Sequence, residues 1–124
     1  PKSQARAEKL NLADHYFSAD ATDAIGIYNK IMELTDGKLA DVVINCVNIE
    51  NTEMASVLAC KDDGIVYFFS MATSFTKAAL GAEGVGKDVN MIIGNGYCKG
   101  HAAITHQVLR EHAGLKKLFE KMYA

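Results

Sequence analysis

Three apolar runs, residues 40–48, 64–74 and 88–96, each give way to small polar residues where a helix should begin. ADVVINCVN, GIVYFFSMATS and DVNMIIGNGY are rich in β-branched and aromatic residues, and none alternates cleanly between polar and apolar. Strands covered on both faces read this way, and such strands belong to parallel sheets flanked by helices. In open sheets of this kind, ligands sit at the carboxyl ends of the strands. The residues to watch are therefore those just past the runs: Cys46 to Asn48, Ser70 to Thr73 and Gly94 to Tyr97.

At 124 residues, the chain is expected to be one domain over its whole length. A chain of this size buries roughly two-thirds of its unfolded surface, enough for one core. A net charge of -2, from 13 basic and 15 acidic residues, offers no basic face for nucleic acid. We find no apolar run of about 18 residues and no cationic leader before an apolar stretch, so neither a membrane span nor a secretory route is expected. Three cysteines at scattered spacing argue against a disulfide framework and suit a reducing cytoplasm. The chain opens on Pro1 rather than methionine and runs straight into helix-like sequence, so a piece of a longer polypeptide is expected.

Along the chain, residues 3–11 read as a short charged helix, and residues 15–18 (HYFS) as a short strand. Thr22 is placed to cap a helix reaching Leu34, with Ala24, Ile27, Tyr28, Ile31 and Leu34 at helical spacing and Gly37 as the stop. A strand over residues 42–47 follows, then a short helix opened by Asn51 or Thr52. Asp62-Asp63-Gly64 reads as a turn before a strand over residues 65–71. Phe75 to Leu80 makes two helical turns, with Gly81, Gly84 and Gly86 expected to break anything longer. A strand over residues 89–93 leads to a helical tail in which Gly114 is the expected break. The strand and helix alternation gives an α/β fold.

Gly94-Asn95-Gly96-Tyr97-Cys98-Lys99-Gly100 stands where a phosphate loop would, after a strand and before a helix. Its spacing is one residue longer than the dinucleotide fingerprint, and a glycine-rich turn whose backbone approaches a ligand is the favoured reading. Cys98, His101 and His106 are spaced poorly for zinc, since residues five apart on a helix point in different directions. Cys46 reads as a small residue lining a slot rather than as a nucleophile. Asp62 with Asp63, and Glu50 with Glu53, fall in a turn and at a helix start, where acidic residues are favoured for structural reasons. Lys77 and Lys99 follow strand ends and could meet phosphate, although solvated lysines are the plainer reading. Asn45, Asn48, Ser70, Thr73 and Asn95 are the polar groups nearest the expected cleft, suited to hydrogen-bonding a carboxamide or ribose. None looks like a general base.

The order helix, short strand, capped helix, DVVINCVN, helix, DDGIVYFFSMATSF, glycine-rich stretch, DVNMIIGNGY, terminal helix resembles the medium-chain, alcohol-dehydrogenase-like oxidoreductases. The part it resembles is the second half of their coenzyme domain. More narrowly, ADVVINCVN-x-x-NTEM, VYFFSMATSFTKAALGAEGVGKDV and MIIGNGYCKGH are similar to an amine-oxidising branch of that family that serves bacterial lysine fermentation. The resemblance covers almost the whole chain. It implies a partial Rossmann-like NAD(P)-binding domain over residues 1–124, lacking its first strands. It also implies NAD or NADP as cofactor and a small diamino acid as substrate, oxidised at a carbon–amine bond.

In similar enzymes the nicotinamide carboxamide meets backbone just past the last three strands. Carried onto this sequence, the resemblance places Cys46, Val47 and Asn48 along the cofactor, then Ser70, Met71 and Ala72, then Gly94, Asn95 and Gly96. The family's first glycine-rich turn, its acidic ribose ligand and its catalytic domain are expected before Pro1. No catalytic residue and no metal ligand is assigned in this chain, and alone it is expected to be inactive.

In the family's strand order, 3-2-1-4-5-6, loss of the first strands leaves residues 15–18 without a partner and bares one side of the 42–47 strand. Residues 15–18 are then expected to dock elsewhere, that bared edge included, or the sheet to be completed by another chain. Relatives dimerise through the last strand, so Val89 to Ile93 is the expected homodimer edge. The alternative, from another class, is a non-catalytic α/β module that holds a nucleotide or partner. A metal-binding domain using Cys98 and His101 is a third reading, which zinc retained on purification would reveal.

Overall fold

The computed structural model describes residues 2–94 and 97–124. Its elements, in order, are α1 (Lys2–Leu10), α2 (Ala24–Leu34), β1 (Ala40–Asn45), α3 (Glu53–Ala59), β2 (Cys60–Phe68), α4 (Phe75–Gly84), β3 (Asn90–Ile93), α5 (His101–Glu111) and α6 (Ala113–Tyr123). They group into two compact units, one within Ala19–Gly96 and the other formed by the two ends of the chain, Pro1–Ser18 and Tyr97–Ala124.

The first unit holds a three-stranded sheet in the order β1-β2-β3, with both pairs parallel. With its helices it forms an α/β layer structure, as the apolar runs predict, and a partial Rossmann-like fold, as the family resemblance implies. The core lies where Val66 and Phe68 of β2 meet Val57 of α3 and Ala78 and Ala82 of α4, with Val43 and Met91 from the outer strands packed against them. Val57 and Val66 are wholly buried. The opposite face is covered less well: Val42, Ile44, Phe69 and Ile92 stay exposed. Side chains alternate across a strand, so burial here has the two-residue period that the composition masked.

Each strand departs from its expected bounds for a local reason. β1 ends at Asn45, two residues early, because the Asn45 Oδ1 accepts the Val47 N–H at 2.9 Å and turns the chain out of the ladder. Asp62-Asp63-Gly64 is not a turn between elements but a bulge inside β2. Register runs from Ala40 opposite Cys60 to Val42 opposite Ile65, so β2 advances five residues while β1 advances two. Asp63 sits at φ 61°, and the bulge is tied to the start of β3 by Asp63 N–H to Asp88 O (2.7 Å) and Asp88 N–H to Asp62 Oδ1 (3.1 Å). Gly64 is required there because a Cβ would lie 2.9 Å from the carbonyl oxygens of both Asp41 and Lys61.

The helix caps shift similarly. Asp23, not Thr22, caps α2, accepting the Gly26 N–H at 2.9 Å. The Thr22 hydroxyl is already committed to Asp20 Oδ1 at 2.6 Å, and these bonds hold the Asp20 carboxyl below its usual pKa. Gly37 does mark the stop, at φ 80°. α4 runs through Gly81 to Gly84, longer than the glycines predict. Gly81 serves close packing instead: Met54 of α3 occupies the space its Cβ would fill.

In the second unit, residues 15–18 form no strand. The Tyr16 hydroxyl turns back to accept the N–H groups of Leu12 and Ala13, both at 2.7 Å, and Ser18 Oγ donates to Gln4 Oε1 at 2.9 Å. These bonds fold the segment back along α1, from the residues just past its end to Gln4 in its first turn. The break in the tail falls at His112 rather than Gly114: the His112 N–H closes α5 on Val108 O, while its carbonyl accepts the first bond of α6. Among the described residues, no helix is long and apolar enough to cross a membrane.

Candidate functional site

Parallel register places all three strand exits at one edge of the sheet, with Asn45, Phe68 and Ile93 as the last paired residues. Two further bonds carry the ladder one step past them, Phe69 N–H to Asn45 O and Gly94 N–H to Phe68 O, both at 2.9 Å. Residues 46–48, 69–72 and 94 therefore leave the sheet side by side. Of the nine residues carried over from the family resemblance, seven stand on this edge, and Asn95 and Gly96 lie outside the described residues. Cys46, Val47 and Asn48 are exposed, Met71 is 96% exposed, and Ser70 and Ala72 are partly covered.

The polar groups of this edge divide by what they already hold. Asn45 is buried and fully engaged: its Nδ2 donates to Thr52 Oγ1 and Ser56 Oγ, both at 2.9 Å, while its Oδ1 takes the Val47 N–H. It builds the exit of β1, with both its amide nitrogen and its amide oxygen turned to partners within the protein. Ser70 Oγ accepts the Ala72 N–H at 3.1 Å, and Ser70 O accepts the Thr73 N–H at 3.3 Å, so the second exit is a tight turn. Among the described residues, Thr73 Oγ1 is buried without a hydrogen-bond partner. Ser74 then caps α4 through Lys77 N–H.

Glu53 is the residue that sequence reasoning undervalued. It is 2% exposed, and its Oε1 accepts the Ser74 N–H at 2.8 Å, joining the first turn of α3 to the exit of β2. Thr52 and Ser56, also buried, join the same turn to the exit of β1. The available signal was Thr52-Glu53 and Ser56 embedded in an otherwise apolar helix directly after a strand, since buried polar groups require partners.

At the third exit, Gly94 allows close approach, but by the protein itself. A Cβ there would meet Tyr67 Oη at 2.7 Å and Phe69 Cδ2 at 2.8 Å, and these two rings stack 6.3 Å apart. Lys77 Nζ is held by Asn51 Oδ1 at 2.6 Å. His101 Nδ1 lies 2.7 Å from Cys98 O, a bond in which the imidazole must donate because a carbonyl only accepts. Among the described residues, no three His, Cys, Asp or Glu side chains converge. Beside the exit of β1, an open groove of about 340 Å³ is lined by Ile27 and Ile31 of α2, Val42 and Ile44 of β1, and Ala55 and Ala59 of α3.

No family model matches the chain. Two curated proteins do, each over 122 residues and 98% of the chain, at 55% identity in Acetoanaerobium sticklandii and 57% in Fusobacterium nucleatum subsp. nucleatum. Both are named L-erythro-3,5-diaminohexanoate dehydrogenase. The chain spans 36% and 35% of the two diaminohexanoate dehydrogenases' own lengths, so it is similar to about a third of such a protein.

Proposed function

We propose that this chain is the carboxyl-terminal part of an NAD(P)-binding domain in an L-erythro-3,5-diaminohexanoate dehydrogenase, and that its strand exits meet the nicotinamide end of the cofactor. The observation that carries this reading is similarity to two dehydrogenases of that name across 98% of the chain. The residues fit the group. Exposed Cys46, Val47, Asn48 and Met71 stand with the partly covered Ser70 and Ala72 beside Gly94 on one sheet edge, and among the described residues the buried Thr73 hydroxyl has no hydrogen-bond partner.

The reaction class is oxidation of a carbon–amine bond: hydride leaves C3 for NAD(P)+, and water converts the imine to 5-amino-3-oxohexanoate and ammonia. This chain's contribution is positional. Cys46, Val47 and Asn48 on one side, with Ser70, Met71 and Ala72 on the other, offer backbone groups, and the small side chains of Cys46, Ser70 and Ala72, to orient a flat ring. Gly94 stands at the third side, and Asn95 and Gly96, assigned to the same end of the cofactor by the family resemblance, lie outside the described residues. The proton-transferring groups lie in the rest of a polypeptide of the relatives' length, as does the pyrophosphate turn. That remainder also covers the free edge of β1 and the apolar groove beside it. The other sheet edge, at β3, is the self-pairing edge of a homodimer, and the protein works in the reducing cytoplasm.

Titration of reduced NAD and NADP into the 124-residue chain and into a polypeptide of the relatives' length tests this reading. Tight binding and diamino-acid turnover by the longer form, with weak or no binding by the short one, is expected. A longer form that binds neither dinucleotide would overturn the assignment.

A further inference from the structure

The first turn of α3 touches two strand exits at once, through side chains that solvent scarcely reaches. Asn45, Thr52, Glu53 and Ser56 are 5%, 3%, 2% and 7% exposed. From Thr52 and Ser56 the turn holds Asn45, whose Oδ1 in turn fixes Val47 N–H at the exit of β1. From Glu53 it holds the Ser74 N–H at the end of the β2 exit, 21 residues away in sequence. A buried carboxylate spent on one backbone N–H is a costly device for mere helix capping, since Ser74 already caps α4 with its own hydroxyl.

We infer that Glu53 is a positioning residue, whose carboxylate sets the conformation of residues 70–74 and thereby the spacing between the two exits. The inference rests on the proposed nicotinamide site, to which those exits belong. Glu53 acts through the Ser74 N–H. A charge-assisted bond of this kind holds a loop more firmly than a neutral one. Among the described residues, 70–73 otherwise rest on a local turn, through Ser70 Oγ and Ser70 O, which leaves Glu53 as their hydrogen-bonded tie to α3.

Amide hydrogen exchange in the 124-residue chain tests the tie without cofactor. In the native protein, the Ser74 amide should be protected well above that of the exposed Met71. Glu53→Ala should speed Ser74 exchange by about ten- to hundredfold while leaving the amides of Val66 and Phe68 in the slow class. Glu53→Gln, which keeps an acceptor at the same reach, should recover most of the protection. A native Ser74 amide that exchanges as freely as that of Met71 overturns the proposal, and does so even if Glu53→Ala fails to fold.

The second readout, taken in a polypeptide of the relatives' length, is the set of backbone shifts that millimolar reduced NAD or NADP produces at residues 70–72. They should be lost in Glu53→Ala and regained in Glu53→Gln. Absence of shifts in every form, with Ser74 behaving as expected, removes the nicotinamide site and leaves Glu53 as a fastening of this loop. Shifts that persist unchanged in Glu53→Ala overturn the positioning role.

Discussion

Replacing Asn45 with alanine removes the fastening of the first strand exit and should cost about 3 kcal/mol of folding stability, summed over bonds at about 1 kcal/mol each. Its three short bonds, to Thr52 Oγ1, Ser56 Oγ and the Val47 N–H, are all 2.9 Å long. The three groups left behind differ in what they lose. Val47 is 36% exposed, so its N–H can turn to water and adds no further penalty. Thr52 and Ser56 remain buried, although Ser56 Oγ keeps its bond to Thr52 O at 3.1 Å. For a domain whose total stability is of order 5–15 kcal/mol, a loss of about 3 is severe.

Urea unfolding measures it. With a slope of about 1–3 kcal/mol per molar, the midpoint should fall by about 1–3 M. Ile44→Ala supplies the internal control, because Ile44 neighbours Asn45 in β1 yet is 65% exposed. It should cost less than about 1 kcal/mol, as partly exposed surface positions do. An Asn45→Ala loss no greater than that of Ile44→Ala would refute the view that this network holds the exit of β1.

Three further outcomes follow from the geometry. Gly64→Ala should destabilise the protein by about 1–3 kcal/mol in urea, because the added methyl meets two carbonyl oxygens inside the bulge. A neutral effect would mean that the bulge relaxes. Burial pushes the Cys60 thiol above its ordinary pKa, whereas Cys46 and Cys98 are exposed. A thiol reagent near neutral pH should therefore modify Cys46 and Cys98 quickly and reach Cys60 only in denaturant. Rapid modification of Cys60 in the native protein would contradict its placement. The Lys61 ammonium, 2.5 Å from Asp41, holds that carboxyl below its usual pKa. A depressed folded-state pKa contributes stability that is present above the unfolded value and lost as pH falls through the folded one. NMR titration should thus show the Asp41 pKa rising towards the ordinary value in Lys61→Met, and an unchanged pKa would remove the pair from solution.

Most of the sheet was legible in the composition of its strands. The apolar runs around Val43, Val66 and Met91 mark β1, β2 and β3, and small polar residues after each run mark the exits. What misled was punctuation. Asp62-Asp63-Gly64 and Gly81 carry turn and breaker chemistry, yet one became a bulge within β2 and the other a packing notch for Met54. Both outcomes depend on what lies opposite, which local sequence does not record. The HYFS segment likewise has strand chemistry, but a strand needs a partner, and Tyr16 found nearer hydrogen bonds at the end of α1.

By itself, the sequence determined the alternation of strand and helix, the parallel class of the sheet, and the similarity to a dehydrogenase over 98% of the chain. These are written in neighbouring residues, because side-chain branching and apolar runs act over a few positions. Tertiary structure decided what each polar group at the strand exits is for. Asn45 reaches partners seven and 11 residues away, and Glu53 one 21 residues away, so their roles exist only once α3 is seated against the sheet. A buried donor or acceptor must find its counterpart in space, and position along the chain does not say where that counterpart will be.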